Sequence, residues 1–127
     1  MLPITALYAG LTGLAFAALS LRVSLGRMDH QVSWGDGGDK DMRRRIRQHG
    51  NFAEYAPITL ILLGLTETMG APASVLHGAG LVLLASRLMH YLGMKGGRLF
   101  ILRRMGIVLC YLLIMALSAG LVGHALL

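Results

Sequence analysis

Between Leu2 and Leu21 the chain carries no charge, and between Met105 and Leu127 it again carries no acid, lysine or arginine. Uncharged apolar runs of about 18 residues or more are the signature of membrane spans. Ala71 to Ser86 is a third such run, which reaches spanning length once Arg87 is included. Tyr55 to Thr66 is apolar but too short to cross, so a span there must take in the polar residues before it. The pattern predicts four helices, over 2–25, 43–69, 72–94 and 99–126, the second of which carries charge into the bilayer. Breaks fall at Gly35-Asp-Gly-Gly38, Gly70-Ala-Pro72 and Lys95-Gly-Gly97, all strong turn signals. Short connections make neighbouring helices antiparallel. The expected fold is all-α, an integral membrane up-down four-helix bundle forming one domain over 1–127.

Composition agrees. Hydrophobic residues make up 55%, charged residues 14%, and the mean hydropathy is +0.63, too little polar surface for a soluble domain of this size. The first run lacks a basic segment ahead of it, since the first cation is Arg22 behind it. That order is wrong for a cleaved signal, so a retained span is expected. Cys110 lies mid-span without a second cysteine and is expected to pack as a small apolar residue.

The distribution of charge fixes an expected orientation. The twelve Lys and Arg residues all lie near the first or third connection, and none lies near the second connection or either terminus. The positive-inside rule then places those two loops in the cytoplasm and both termini outside. The net charge of +6 reads as topology and contact with membrane lipids of anionic type. Nucleic acid is not expected, because the cations flank spans and have no aromatic interleaving. Asp36, Asp39 and Asp41 lack the ordered spacing of a calcium loop, so no metal site is expected.

Depth along the helices raises the question of a polar site. At 1.5 Å per residue, Glu54 lies about 9 Å inside the apolar layer and Arg87 about 8 Å from the same edge. An isolated carboxylate there is costly, so a partner or a wet pocket is required, and Arg87 is the expected partner. Arg43, Arg47, Asn51 and Glu54 share one helical stripe. Arg87, His90 and Tyr91 form a second, and Arg104, Val108 and Tyr111 a third. All three converge near the cytoplasmic edge. Arg43, Arg44 and Arg45 are expected to be lipid-facing anchors, Lys95 and Arg98 interfacial, and His77 and His124 interfacial at the opposite edge. Pro57, one turn beyond Glu54, is expected to kink its helix and free a carbonyl.

Arg47-x-His49-x-Asn51-x-x-Glu54, followed by Tyr-x-Pro and an apolar run, resembles the second helix of the MAPEG family, the membrane-associated proteins in eicosanoid and glutathione metabolism. Leu84-Ala-Ser-Arg-Leu-Met-His90 is similar to that family's third helix, and Arg103-Arg104 falls where its fourth begins. Trp34-Gly-Asp-Gly-Gly38 resembles a bacterial inner-membrane branch. The resemblance implies a homotrimer that binds glutathione between subunits near the cytoplasmic face. It implies that Arg47, Asn51, Glu54 and Arg87 hold the tripeptide, with His49, His90 and Tyr91 in the binding set. Arg104, or alternatively Arg103, takes the place of the arginine that activates the thiol. Glutathione offers two carboxylates to arginine forks and an ammonium to Glu54.

The implied activity is a glutathione transferase or peroxidase acting on a lipophilic small molecule. Two positions depart from the family pattern: Val108 stands where a tyrosine is expected, and Gly106 offers no side chain. A non-catalytic binding or scaffold protein of the same fold is the alternative. A small multidrug transporter is a third reading, disfavoured because the first span has no glutamate and the charge bias is too one-sided for dual topology.

Overall fold

The computed structural model describes residues 1–127 as four α-helices: α1 (Pro3–Asp29), α2 (Lys40–Thr68), α3 (Ala73–Gly93) and α4 (Phe100–Leu126). A short 3₁₀ turn, Gly97–Leu99, leads into α4. Of 102 backbone hydrogen bonds, 88 close within these helices, so the apolar segments carry almost no backbone polarity that would need water. Three helical segments are long and apolar enough to cross a bilayer: Pro3–Asp29, Ala73–Gly93 and Gly97–Leu126. The charged first half of α2 keeps that helix out of the group, although at 29 residues it is the longest of the four.

Helix ends follow local chemistry. Pro3 opens α1, where its missing N–H and fixed φ cost nothing. Asp39 caps α2 by accepting a hydrogen bond from the Met42 amide at 2.8 Å, and Asp41 adds negative charge to the first turn. The helix therefore starts at Lys40 rather than at 43. At the other end Gly70, with φ +78°, takes the left-handed conformation that ends α2 ahead of Pro72. α2 continues through Pro57 as one helix.

The bundle is turned outward for lipid. Only 23 of 127 residues are buried, while Leu14, Leu81, Ile61, Leu88 and Met115 all stand more than half exposed. The apolar core occupies the half away from the basic loops, where Tyr8, Leu63, Leu76, Ala79, Leu83, Leu113 and Leu117 pack together. α3 and α4 approach closely at Gly106. A Cβ there would lie 2.6 Å from the Ser86 carbonyl and 2.8 Å from the His90 amide nitrogen. The absent side chain at 106 thus has a packing cause, independent of any chemistry beside Arg104. Cys110 is fully buried, as its position mid-span leads one to expect.

At the far edge Glu67 reaches from the end of α2 to the start of α1. Its two oxygens accept the amides of Ile4 at 3.0 Å and Thr5 at 2.7 Å. The carboxylate satisfies orphan donors of a helix N-terminus and meets its positive dipole end. Beside it the Tyr8 hydroxyl donates to the His77 carbonyl at 3.2 Å and lies 3.1 Å from the ring Nδ1.

Candidate functional site

Near the basic end the bundle interior changes character: Gln48, Asn51, Ser86, Arg87 and His90 are all buried. Arg87 is only 5% exposed and has no carboxylate partner. Its Nη1 donates to Asn51 Oδ1 at 2.7 Å and more weakly to the Asn51 carbonyl at 3.4 Å, and its Nε reaches Ser86 Oγ at 3.4 Å. Its Nη2 is buried without any hydrogen-bond partner. The Tyr55 ring lies under the guanidinium at 5.6 Å, and the Tyr55 hydroxyl is 3.0 Å from that of Tyr111 on α4. A buried cation met only by the side-chain and backbone oxygens of Asn51, a hydroxyl and a ring face is a site that attracts an anion.

Glu54 is not the partner of Arg87. It pairs with Arg47 of its own helix in a two-bond fork, 3.0 Å and 3.2 Å, with both side chains about half exposed (48% and 50%). Equal depth does not bring Glu54 and Arg87 together because α3 presents Arg87 inward to Asn51, while Glu54 lies on the outer face of α2. Arg47 also lines a cleft of about 420 Å³ between the start of α2, the end of α3 and the start of α4. Lys40, Arg43, Arg44 and Arg103 complete its basic wall. Arg104 points elsewhere: it is exposed, lies 5.3 Å over the Phe100 ring, and borders an apolar groove with Met89, Met105 and Val108.

Two of the expected binding residues face α1 instead. His49 lies 3.0 Å from Ser20 Oγ and stacks on Phe16 at 4.9 Å. Tyr91 has Arg22 at 5.2 Å and Lys95 at 5.5 Å over its ring, and its carbonyl accepts from Gln48. Pro57 lines an apolar cleft with Thr12, Phe16 and Phe52, away from the polar cluster.

The arginine run is also corrected. Arg43 holds Asp36 at 2.7 Å, and Arg44 and Arg45 both hold Asp41. Arg43 is thus paired to the first loop, and Arg44 and Arg45 to the first turn of their own helix, rather than standing unpaired toward lipid. The hydrogen bond from Arg44 holds the Asp41 carboxyl below the usual carboxylate range, and that from Arg43 does the same for Asp36. His30, Asp39 and Asp41 lie close together. Asp39 is spent on the helix cap and Asp41 on two arginines, which leaves a cation little free carboxylate.

A buried unpaired arginine on α3, an Arg-x₃-Asn-x₂-Glu stripe on α2 and arginines opening α4 are set here on one helical membrane bundle. The profile described as MAPEG family matches residues 5–123. The chain belongs to the MAPEG family. It is similar to the inner membrane protein YecN of Escherichia coli strain K12. The two are 44% identical over 117 residues, covering 91% of this chain and 88% of the relative. The YecN protein of Escherichia coli O6:H1 strain CFT073 matches to the same extent. The MAPEG assignment thus spans all four helices and the whole polar cluster.

Three features of this MAPEG bundle are invisible to motif reading. The Tyr55–Tyr111 hydroxyl pair joins helices 56 residues apart in sequence. The Glu67 cap on α1 joins residues more than 60 apart. Gln48 ties the Arg22 guanidinium (2.9 Å) to the Tyr91 carbonyl (3.0 Å) across three helices. The Arg47–Glu54 pair, by contrast, has a legible signal. Residues seven apart return to nearly the same helix azimuth.

Proposed function

We propose that this MAPEG protein binds glutathione in the bacterial inner membrane, as a homotrimer, and uses the bound thiol on lipophilic electrophiles or peroxides at the cytoplasmic side. The observation that carries the reading is the Arg47–Glu54 fork. It is half exposed on the outer face of α2, at a height that helix rise places inside the apolar layer. Two charges facing lipid would be costly, so a second subunit or a wet pocket must cover them. The γ-glutamyl end of glutathione carries an ammonium and a carboxylate on one carbon. Opening the fork offers a carboxylate to the first and a guanidinium to the second. The cleft shared by Arg47 and Arg103 suits the remaining carboxylate through charge-assisted hydrogen bonds. Arg87 adds an unbalanced positive charge behind it.

Activation of the thiol needs a cation beside the sulfur, since the thiolate is the nucleophile and the free thiol titrates near 8.5. Within one subunit Arg103 borders the cleft with Arg47, whereas Arg104 faces outward. Arg104 can therefore act only on glutathione held by a neighbouring subunit. The thiolate attacks the electrophilic carbon, the C–S bond forms as the leaving group departs, and the proton released on ionisation passes to solvent at the basic end. In this assignment both termini lie outside, which places the cations in the cytoplasm.

Calorimetric titration of the detergent-purified protein with reduced glutathione tests the binding. Saturable binding to a trimer is expected, and no heat above that of dilution into protein-free detergent buffer, or a stable monomer, overturns it. Exposed Val108, which supplies no hydroxyl beside Arg104, favours a binding-only version as the second reading. Turnover of a lipophilic aryl halide by the glutathione-loaded protein separates the two.

A further inference from the structure

The polar cluster opens onto a second surface, distinct from the Arg47–Arg103 cleft and sharing only Arg87 and Tyr91 with the residues assigned to glutathione. Between α1 and α3 runs a groove of about 280 Å³, lined on one side by Ala15, Ala18 and Leu19 and on the other by Leu84 and Leu88. Its basic end is closed by Arg22, Arg87 and Tyr91. Arg22 and Lys95 lie against the Tyr91 ring, at 5.2 Å and 5.5 Å. Four of the twelve Lys and Arg residues, Arg43, Arg44, Arg45 and Arg47, are paired with Asp36, Asp41 and Glu54. Arg22, Arg87 and Lys95 hold no carboxylate. Arg87 is buried, and its Nη2 has no partner.

We propose that this groove is a binding site for an anionic phospholipid, whose phosphodiester rests among Arg22, Lys95 and the Tyr91 ring while an acyl chain lies along Leu84 and Leu88. The inference is independent of glutathione binding. Charge complementarity selects the occupant. A second copy of the chain would bring the same excess of cations to the same level and be repelled there. A neutral lipid would leave three positive side chains without an anion. The apolar trough supplies the other half of the match, since the small side chains of Ala15 and Ala18 make room on α1 for a hydrocarbon chain. Lys and Arg beside a bilayer surface attract anionic headgroups by about 1 kcal/mol each, and a pocket with defined walls turns that general attraction into a retained lipid.

The test is native mass spectrometry of the protein released from vesicles containing equal amounts of phosphatidylglycerol and phosphatidylcholine. Discrete phosphatidylglycerol adducts are expected, in clear excess over phosphatidylcholine. Arg22→Gln with Lys95→Gln should reduce them about tenfold, the scale of one lost charge-assisted hydrogen bond. Leu88→Trp, at a residue 58% exposed, should fill the trough and displace the lipid without altering any charge. Because Arg22 also bonds Gln48, the Leu88 variant keeps the test sound if the double variant is poorly folded. Equal retention of both lipids, unchanged adducts in the well-folded Leu88→Trp variant, or replacement of phosphatidylglycerol by added lauric acid overturns the proposal. So does efficient disulfide crosslinking between subunits through Ala18→Cys and Leu88→Cys.

Discussion

Replacing Asn51 by alanine should be among the most damaging single changes in the polar half of the bundle. Asn51 is 3% exposed and supplies the one short hydrogen bond that Arg87 makes, at 2.7 Å. A bond to a charged group is worth roughly 1.5–3 kcal/mol. Arg87 already has an unpaired buried Nη2, so the loss leaves Nη1 with only its long 3.4 Å contact to the residue-51 carbonyl. Stranded buried charges cost roughly 3–5 kcal/mol when a partner is removed, which sets the upper end for Asn51→Ala. The assay is thermal unfolding in detergent, read by circular dichroism, with Arg87→Leu and the double variant completing a cycle. If Arg87 is the group that suffers, Asn51→Ala in the Arg87→Leu background should lose most of its cost, a coupling of at least 1 kcal/mol. Asn51→Asp should instead stabilise the unliganded protein by supplying a counter-charge, and weaken any anionic ligand that uses Arg87. Additive effects of the two single variants would refute the claim that Arg87 is an under-compensated buried cation.

Glu54→Gln should change stability by no more than about 1 kcal/mol, because the Arg47 pair is half exposed, while weakening glutathione by roughly ten- to a hundredfold in calorimetry through loss of the ammonium partner. Arg104→Ala should leave glutathione affinity unchanged but suppress the thiolate absorbance that develops as pH rises, and mixing it with Glu54→Gln subunits should restore signal only if the two residues act across an interface. A reporter fused after Leu127 should be active on the extracytoplasmic side, and cytoplasmic activity would invert the whole orientation. The carboxyls of Asp36 and Asp41 are held low by Arg43 and Arg44, so their ion pairs contribute fully above the ordinary carboxylate range and are lost as pH falls through the lower folded-state values. Acidification should therefore raise hydrogen exchange in residues 36–45, and Asp41→Asn should remove most of that dependence.

Helix number and placement are legible because hydrophobic runs and turn residues are local signals. The errors are informative in their kind. The start of α2 moved from 43 to Lys40 because Asp39 caps it, and a cap is a single residue that a hydropathy reading passes over. The Glu54–Arg87 pairing failed because helix rise fixes height but not the direction a side chain faces. Heptad spacing would have paired Glu54 with Arg47 directly. Spacings of three and four from Asp41 would likewise have matched it with Arg44 and Arg45. The Tyr55–Tyr111 and Gln48–Arg22 contacts carry no local signal, since they depend on how α1, α3 and α4 rotate against α2. His49 and Tyr91 share the motif's segments but contact α1 residues Ser20, Phe16 and Arg22, a direction that spacing along one helix does not specify.

The pairing of Glu54 with Arg47 changes what ligand binding must accomplish. A carboxylate neutralised within its own helix lets the empty bundle exist at membrane depth without an unpaired acid. On the proposed reading glutathione has to break that pair: one ion pair opens and two form, one at each end of the zwitterion, and desolvation of the ligand's own charges offsets the gain. Arg87 adds what the exchange lacks, because its charge is already buried and already unbalanced. A carboxylate arriving near it gains attraction without a new desolvation cost on the protein side, which was met when the bundle folded. On this argument the buried arginine sets affinity and the exposed pair sets selectivity for a ligand with ammonium and carboxylate on one carbon. An S-alkyl glutathione should then bind as well as glutathione itself, whereas a tripeptide lacking the γ-glutamyl ammonium should lose the Glu54 contribution and become insensitive to Glu54→Gln.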